Sequence, residues 1–424
     1  MPLGKSFYIN NRNRLKNLLP ENSVALVFSN SPIPRNANQF YPYRQNSNLL
    51  YLCGIDQEET ILLLSPYHPE KEFHEILFIQ DVTPEKEIWE GKKITFDEAK
   101  EISGIDNIKT ISNFLNVLHK AIIRAEKIYI DIPEFPRIIS TFPSPYHHFT
   151  NVLKDLFPLH TFERLSPLIN KLRIIKSEEE IETIKKACKI TSDTFVKVLE
   201  IVKPGKKEYE IEALITYEFI KNRSTGHAYL PIIASGINSC YLHYNKNNKI
   251  MEDGELLLLD IGAEYDYYAS DLSRTVPVNG RFTERQKNFY NATLRVFKEI
   301  KKNIKPGISI NELNTLTLQL WKEEHLKLGL YNENDFKEKG ESLIKKYFPH
   351  GISHFLGIDV HDTGFKDEIL KPGMLITLEP GIYVIKEHMG IRIENDILIT
   401  EKGNVDLMED TPIEAEEIEN LMNK

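Results

Sequence analysis

Cysteine is scarce: Cys53, Cys188 and Cys240 are the only three in 424 residues, scattered singly. Such spacing excludes a disulfide framework and a thiolate zinc site, and it fits a reducing cytoplasm. No apolar run approaches the ~18 residues that a membrane span needs. The opening Met1-Pro-Leu-Gly-Lys-Ser-Phe-Tyr-Ile-Asn10 also lacks the apolar core of a signal peptide. The chain is therefore expected to stay in the cytoplasm and to meet no membrane. Positive charge is in deficit as well: 53 Lys and Arg against 62 Asp and Glu leave a net charge of −9. With no overall positive field for a phosphate backbone, nucleic acid is not expected as the principal partner. What is present is ordinary globular composition, 41% hydrophobic and 27% charged. At roughly 150 residues per domain the length accommodates two or three domains.

Short apolar runs at Val24–Phe28, Ile61–Leu64, Ile76–Ile79 and Ile128–Ile130, with helical spacing over Phe114–Ala125, predict an α/β domain at the start of the chain. Ser177-Glu-Glu-Glu180 reads as a capping-box helix start. The boundary is placed near residue 170. Beyond it, Val202-Lys-Pro-Gly205 is followed by Glu210, Ile211 and Leu214, and Ile304-Lys-Pro-Gly307 is followed at the same offsets by Glu312, Leu313 and Leu316. This echo predicts a duplicated half-domain rather than a solenoid.

The first chemically informative stretch is Glu255-Leu-Leu-Leu-Leu-Asp260-Ile-Gly-Ala-Glu-Tyr265-Asp-Tyr-Tyr-Ala-Ser-Asp271-Leu-Ser-Arg-Thr275, which predicts two strands and a tight turn. With Tyr265 and Asp266 as the turn residues, Asp260 and Asp271 oppose each other directly on one face. Opposed carboxylates repel unless a proton or cation stands between them. Because four leucines precede Asp260, the strand is expected to be buried, and the pair asks for a counter-charge. A second hairpin repeats the theme, with Glu379 on the outgoing strand and Gly390-Ile-Arg392-Ile-Glu394-Asn-Asp396 returning. Period-two geometry puts Arg392, Glu394 and Asp396 on one face. Pro380 has no N–H for a ladder and so ends the outgoing strand beside Glu379.

Between the hairpins, His350, His354 and His361 fall within twelve residues. The His350/His354 spacing matches a helical zinc motif only superficially, since Gly351 stands where that motif needs glutamate. Asp260, Asp271, His354, Glu379 and Glu394 together offer four carboxylates and one imidazole. That hard donor set favours Mn²⁺, Co²⁺, Fe²⁺ or Zn²⁺. One divalent ion leaves two negative charges in a partly buried site, whereas two neutralise all four carboxylates. The expectation is a dinuclear centre whose ions, about 3.5–4 Å apart, share a bridging water and clamp an amide oxygen, the requirements of peptide hydrolysis. His243 and His361 are candidates for proton transfer and oxyanion stabilisation.

Taken together, Leu259-Asp-Ile-Gly-Ala263, Ala269-Ser-Asp271-Leu-Ser-Arg-Thr275, His350-Gly-Ile-Ser-His354 through His361-Asp362, Leu378-Glu379-Pro-Gly-Ile-Tyr383 and Gly390-Ile-Arg-Ile-Glu394 resemble the pita-bread metallopeptidases. The likeness is strongest to the bacterial-type Xaa-Pro aminopeptidase (aminopeptidase P) family. Tyr41-Pro-Tyr-Arg-Gln-Asn-Ser47 and Ile88-Trp89-Glu-Gly91 carry it into the N-terminal region, a domain that methionine aminopeptidases lack. The resemblance implies an α/β N-terminal domain, residues 1–170, supporting oligomerisation and the substrate site. It also implies an α+β pita-bread (creatinase/aminopeptidase-like) catalytic domain with an internal pseudo-repeat, residues 171–424.

In that family's terms Asp260 serves one metal, His354 and Glu379 the other, and Asp271 with Glu394 bridges them, Mn²⁺ being the expected ion. Glu379 takes the proton of the attacking water. His243 and His361 orient the scissile amide, His350 and Tyr229 line the proline pocket, and Arg392 fixes the metal-site carboxylates. Trp89 reaches a neighbouring subunit's site in a homodimer or homotetramer. Two positions depart from the pattern: the segment Thr225–Gly236 around Tyr229 is shorter than the common form, and Asn38 stands where many relatives carry aspartate. The implied reaction is release of any N-terminal residue that precedes proline, by a hydroxide bridging the two ions. One alternative is a prolidase acting on Xaa-Pro dipeptides. A non-catalytic peptide-binding module is disfavoured because all five ligands are present.

Overall fold

A computed structural model describes residues 3–132, 134 and 145–424, and the chain divides into two compact units, Met1–Arg173 and Ile174–Lys424. In the first, the described residues form a six-stranded mixed sheet. Its centre is Ser23–Phe28, buried along its whole length, as a Val-Ala-Leu-Val run covered on both faces must be. Ile61–Leu64 and then Glu75–Ile79 follow on one side, antiparallel, and Lys127–Ile130 pairs parallel on the other. Val24, Leu26, Leu63, Phe78 and Ile128 share one buried cluster with Phe114, Leu118 and Ile122 of the helix Phe114–Ile122. The outermost strands, Ile108–Thr110 and Thr161–Arg164, escape the periodicity reading because they are short and largely polar or exposed.

The second unit is built twice from one plan, in line with the expected echo. Helix Glu178–Ile201 is followed by the Lys-Pro-Gly205 turn and helix Glu208–Lys221; helix Glu284–Asn303 is followed by Lys-Pro-Gly307 and helix Ile310–Lys327. Both turn glycines have positive φ, 87° and 95°. Each turn is then stitched to the segment entering its own hairpin, Lys207 bridging Ile250 and Ser309 bridging Ile369. The first half supplies strands Ile232–Ser235, Leu256–Ile261 and Leu272–Pro277, and the second Leu375–Leu378, Asn395–Thr400 and Gly403–Asp406. Ser177 caps the first long helix in a capping box with Glu180, as the sequence predicts.

A buried histidine in this unit gives the fold an acid limit. His325 stacks on Trp321 at 5.0 Å between ring centroids, meets Tyr331 edge-on at 5.7 Å, and is fully buried. Burial drives its pKa from 6.5 down to about 3. Between those values the unfolded chain binds a proton that the fold refuses, so this contribution is complete above pH 6.5 and is lost as pH falls toward 3. His325→Phe keeps the aromatic packing without the titration. Its unfolding free energy should decline less steeply from pH 6.5 to 4 than the wild type's, by up to about 1.4 kcal/mol per pH unit. Urea midpoints across that range check it.

Candidate metal centre

Asp260 and Asp271 meet, though not by the expected register. The hairpin turns on Asp266 and Tyr267, both with positive φ (46° and 70°), so Asp260 pairs with Ser273 and Ile261 with Leu272. Aspartate enters the left-handed region more readily than most residues, which places it first in this type I′ turn rather than second. The displacement is two residues along the return strand, and an even displacement preserves the face. Asp271 therefore stays on the side of Asp260, one diagonal away. The ladder breaks beside it at Gly262, where a Cβ would come 1.9 Å from the Ser270 carbonyl oxygen. Released from the ladder, the Asp271 N–H is donated to Asp396 Oδ2 at 3.0 Å.

The second half brings its acids to the same place through strand ends. Glu379 follows Leu375–Leu378 and donates its N–H to Ile352 O, while Glu394 donates its N–H to Ser273 O, joining the two halves at 3.0 Å. Its carboxylate accepts the Ser273 hydroxyl at 2.6 Å. The segment holding His350 and His354 is irregular, not helical. His354 Nδ1 faces its neighbour Phe355 O at 3.0 Å, and Nε2 stands 3.4 Å from Asp271 Oδ2. A proton fixed on Nδ1 turns the Nε2 lone pair toward a cation. One ligand atom each from Asp271, His354 and Glu394 lies within 4.8 Å of the other two.

The charges of this cluster are unbalanced. Burial, and then the neighbouring acids, hold Asp271 and Glu394 well above the ordinary carboxylate range; burial raises Glu379 as well, against His354 and Arg392. Tyr229, expected in the proline pocket, sits with its hydroxyl 2.6 Å from both Asp260 Oδ1 and Asp271 Oδ1. A phenol has one proton, so it can donate to only one of them, and the second contact needs a proton on the carboxylate or a cation beside it. Four carboxylates and an imidazole presenting Nε2 fit divalent ions of the Mn²⁺-to-Zn²⁺ series.

Arg392 is the fixed cation. Its three nitrogens donate to Ser273 Oγ (2.8 Å), Tyr383 Oη (2.8 Å) and Asp260 Oδ2 (2.5 Å). Tyr383 in turn lies 2.8 Å from His350 Nε2. Burial, then the Arg392 charge, lowers the His350 pKa to about 3 and keeps the ring neutral. Its Nδ1 is 2.8 Å from Gly351 O and 3.3 Å from Glu379 Oε2. His361 is exposed and sets its ring edge-on to His354, 4.4 Å between centroids. His243 is also exposed, in the loop after Gly236–Cys240. Trp89 lies in the short helix Pro84–Glu90 of the first unit and is 88% exposed.

Metallopeptidase family M24 matches residues 182–401, and the aminopeptidase P N-terminal domain matches residues 8–129. This chain belongs to the M24 metallopeptidases. It is 33% identical to the Xaa-Pro aminopeptidase of Escherichia coli K12, over 97% of this chain and 96% of that protein. Two solved E. coli aminopeptidase P structures superpose with a TM-score of 0.91, covering 100% of this chain and 99% of theirs. One is zinc-substituted with product (31% identity) and the other holds the inhibitor Pro-Leu (32%). Family and donor set agree on divalent metal ions.

Some residues that contact this candidate centre give no signal in the sequence. Ser273 takes its place once the turn is moved by one residue. Tyr383 and Asp396 lie within the Glu379 and Glu394 motifs, but nothing local to them signals their partners. For Cys188, whose thiol donates to Asp396 Oδ2 at 3.3 Å, a lone cysteine about two hundred residues away gave no signal.

Proposed function

We propose that this protein hydrolyses the bond between any N-terminal residue and a proline in second position, with two ions held by Asp260, Asp271, His354, Glu379 and Glu394. The observation that carries the reading is the convergence of Asp271 and Glu394, from two hairpins, on His354, with a single phenol hydroxyl between Asp271 and Asp260. Manganese is the proposed ion and the cytoplasm the proposed compartment; among the described residues no helix is long and apolar enough to cross a membrane. When bound, such ions acidify a water and polarise an amide carbonyl.

The chain's own groups do the rest. Glu379 receives a proton as the water oxygen bonds to the carbonyl carbon. The same proton passes to the proline nitrogen as the C–N bond breaks. His243 and His361 orient the amide, and neutral His350 and Tyr229 shape the proline pocket. Arg392 keeps the acids in register. Proline selectivity follows from the tertiary amide, which lacks the N–H that general peptidases bind, while a flat apolar pocket accepts the ring. The N-terminal domain, residues 1–170, is proposed to support a homodimer or homotetramer in which Trp89 reaches a neighbouring site; the exposure of Trp89 and Ile88 supports this.

Stripped of metal and reloaded with Mn²⁺, the protein should cleave Xaa-Pro-Xaa tripeptides and lose that activity on chelation. Turnover confined to Xaa-Pro dipeptides would replace this reading with a prolidase.

A further inference from the structure

Buried polar side chains along one face of helix Glu178–Ile201 are directed at segments of the metal centre. Thr191 Oγ1 lies 2.8 Å from Ser270 Oγ and accepts the Ala263 N–H. Cys188 reaches Asp396, the acceptor of the Asp271 amide, and Glu180 Oε1 accepts the Tyr268 hydroxyl at 3.0 Å. At the foot of the helix, Lys176 Nζ meets Asp362 Oδ2 at 2.9 Å, with side-chain exposures of 1% and 2%.

Both ends of that ion pair are fixed by backbone. Lys176 donates its N–H to Gly373 O at 2.8 Å and directly precedes the helix cap Ser177. Asp362 directly follows His361. Its N–H closes on Phe355 O at 2.9 Å, and its carboxylate lies against Gly357, where a Cβ would come 2.1 Å from Oδ2. Gly357 O accepts the Ala269 N–H from the Asp271 hairpin at 2.9 Å. The segment 355–362 is thereby folded back on itself, and the His361 ring stands edge-on to His354.

His361 is exposed, and its ring is carried on the stretch of backbone that Asp362 anchors. Burying a lysine and an aspartate costs desolvation that their attraction at best roughly offsets, so stability alone is a poor reason for the pair. Registry is a better one.

We propose that Lys176, acting through Asp362, is a positioning residue that sets His361 against the substrate side of the metal centre. The inference rests on the role given to His361 above. It is tested by kcat and KM on a Xaa-Pro-Xaa peptide, with the Mn²⁺-loaded wild type, K176M, H361A and the double variant, and by melting temperatures of all four. K176M should lower kcat roughly tenfold to a hundredfold, the scale of a misplaced catalytic group, with KM within about twofold. In the H361A background the same change should lower kcat by less than about twofold, although the melting temperature falls equally in both backgrounds. K176R should recover most of the lost rate. If K176M fails to fold, K176M/D362N leaves no buried charge unpaired and carries the same expectation. Losses that multiply in the double variant, or a wild-type kcat in folded K176M, would overturn the anchoring alone. A wild-type rate in H361A would remove that histidine's role and the proposal with it.

Discussion

Asp271→Asn should cut metal content and turnover together, the rate by about a thousandfold, while making the metal-free protein more stable. A thousandfold corresponds to roughly 4 kcal/mol of lost transition-state stabilisation, the scale on which a metal site acts. The stability gain follows from the sign of the pKa shift. Burial, then Asp260 and Asp396, raise the Asp271 carboxyl above its ordinary 3.8. For an acid raised in this way, the folded state holds a proton that the unfolded chain has released. Its favourable contribution is therefore complete below pH 3.8 and disappears as pH climbs through the folded value. Asparagine does not titrate. At about pH 8 with chelator the variant should melt above the wild type; with Mn²⁺ the order should reverse, because the wild type alone gains the full binding energy. Wild-type turnover and metal content in the variant would remove Asp271 from the centre.

The four carboxylates are legible because Asp260 interrupts an apolar strand and Asp271, Glu379 and Glu394 stand at the ends of others, where an acid has no reason to be unless something pairs with it. Their face was legible too, since alternation survives an error of two residues. The turn position was not, because Tyr265-Asp266 and Asp266-Tyr267 are nearly equivalent until the ladder on either side chooses. In the first unit the buried central strands declared themselves, whereas Thr161–Arg164, mostly exposed, has no apolar pattern to declare. The polar face of helix Glu178–Ile201 stayed hidden for a different reason. Glu180, Cys188 and Thr191 sit at helical spacing among Ile184, Ala187 and Phe195, and only the tertiary structure says that Asp396, Tyr268 and Ser270 wait opposite them. Partners separated by about eighty to two hundred residues leave no local signature.

Arg392→Met should do the reverse of Asp271→Asn in the metal-free protein. The guanidinium is buried, donates to Asp260 and lies 3.9 Å from Glu394 Oε2. Removing it leaves two acids without the cation that the chain supplies, and breaking a buried pair from one side costs about 3–5 kcal/mol. Metal-free Arg392→Met should therefore unfold at a much lower denaturant concentration than the wild type, and Mn²⁺ should restore part of the loss by replacing the missing positive charge. Arg392→Lys keeps a charge but not the three-way fork to Ser273, Tyr383 and Asp260, so metal should stay and turnover should drop. The combination of Asp271→Asn with Arg392→Met removes one charge of each sign. Its metal-free stability should exceed that of Arg392→Met alone by a different amount from the gain that Asp271→Asn gives in the wild-type background, a coupling that independent sites would not show. A metal-free Arg392→Met as stable as the wild type would mean that these acids are balanced by something other than this arginine.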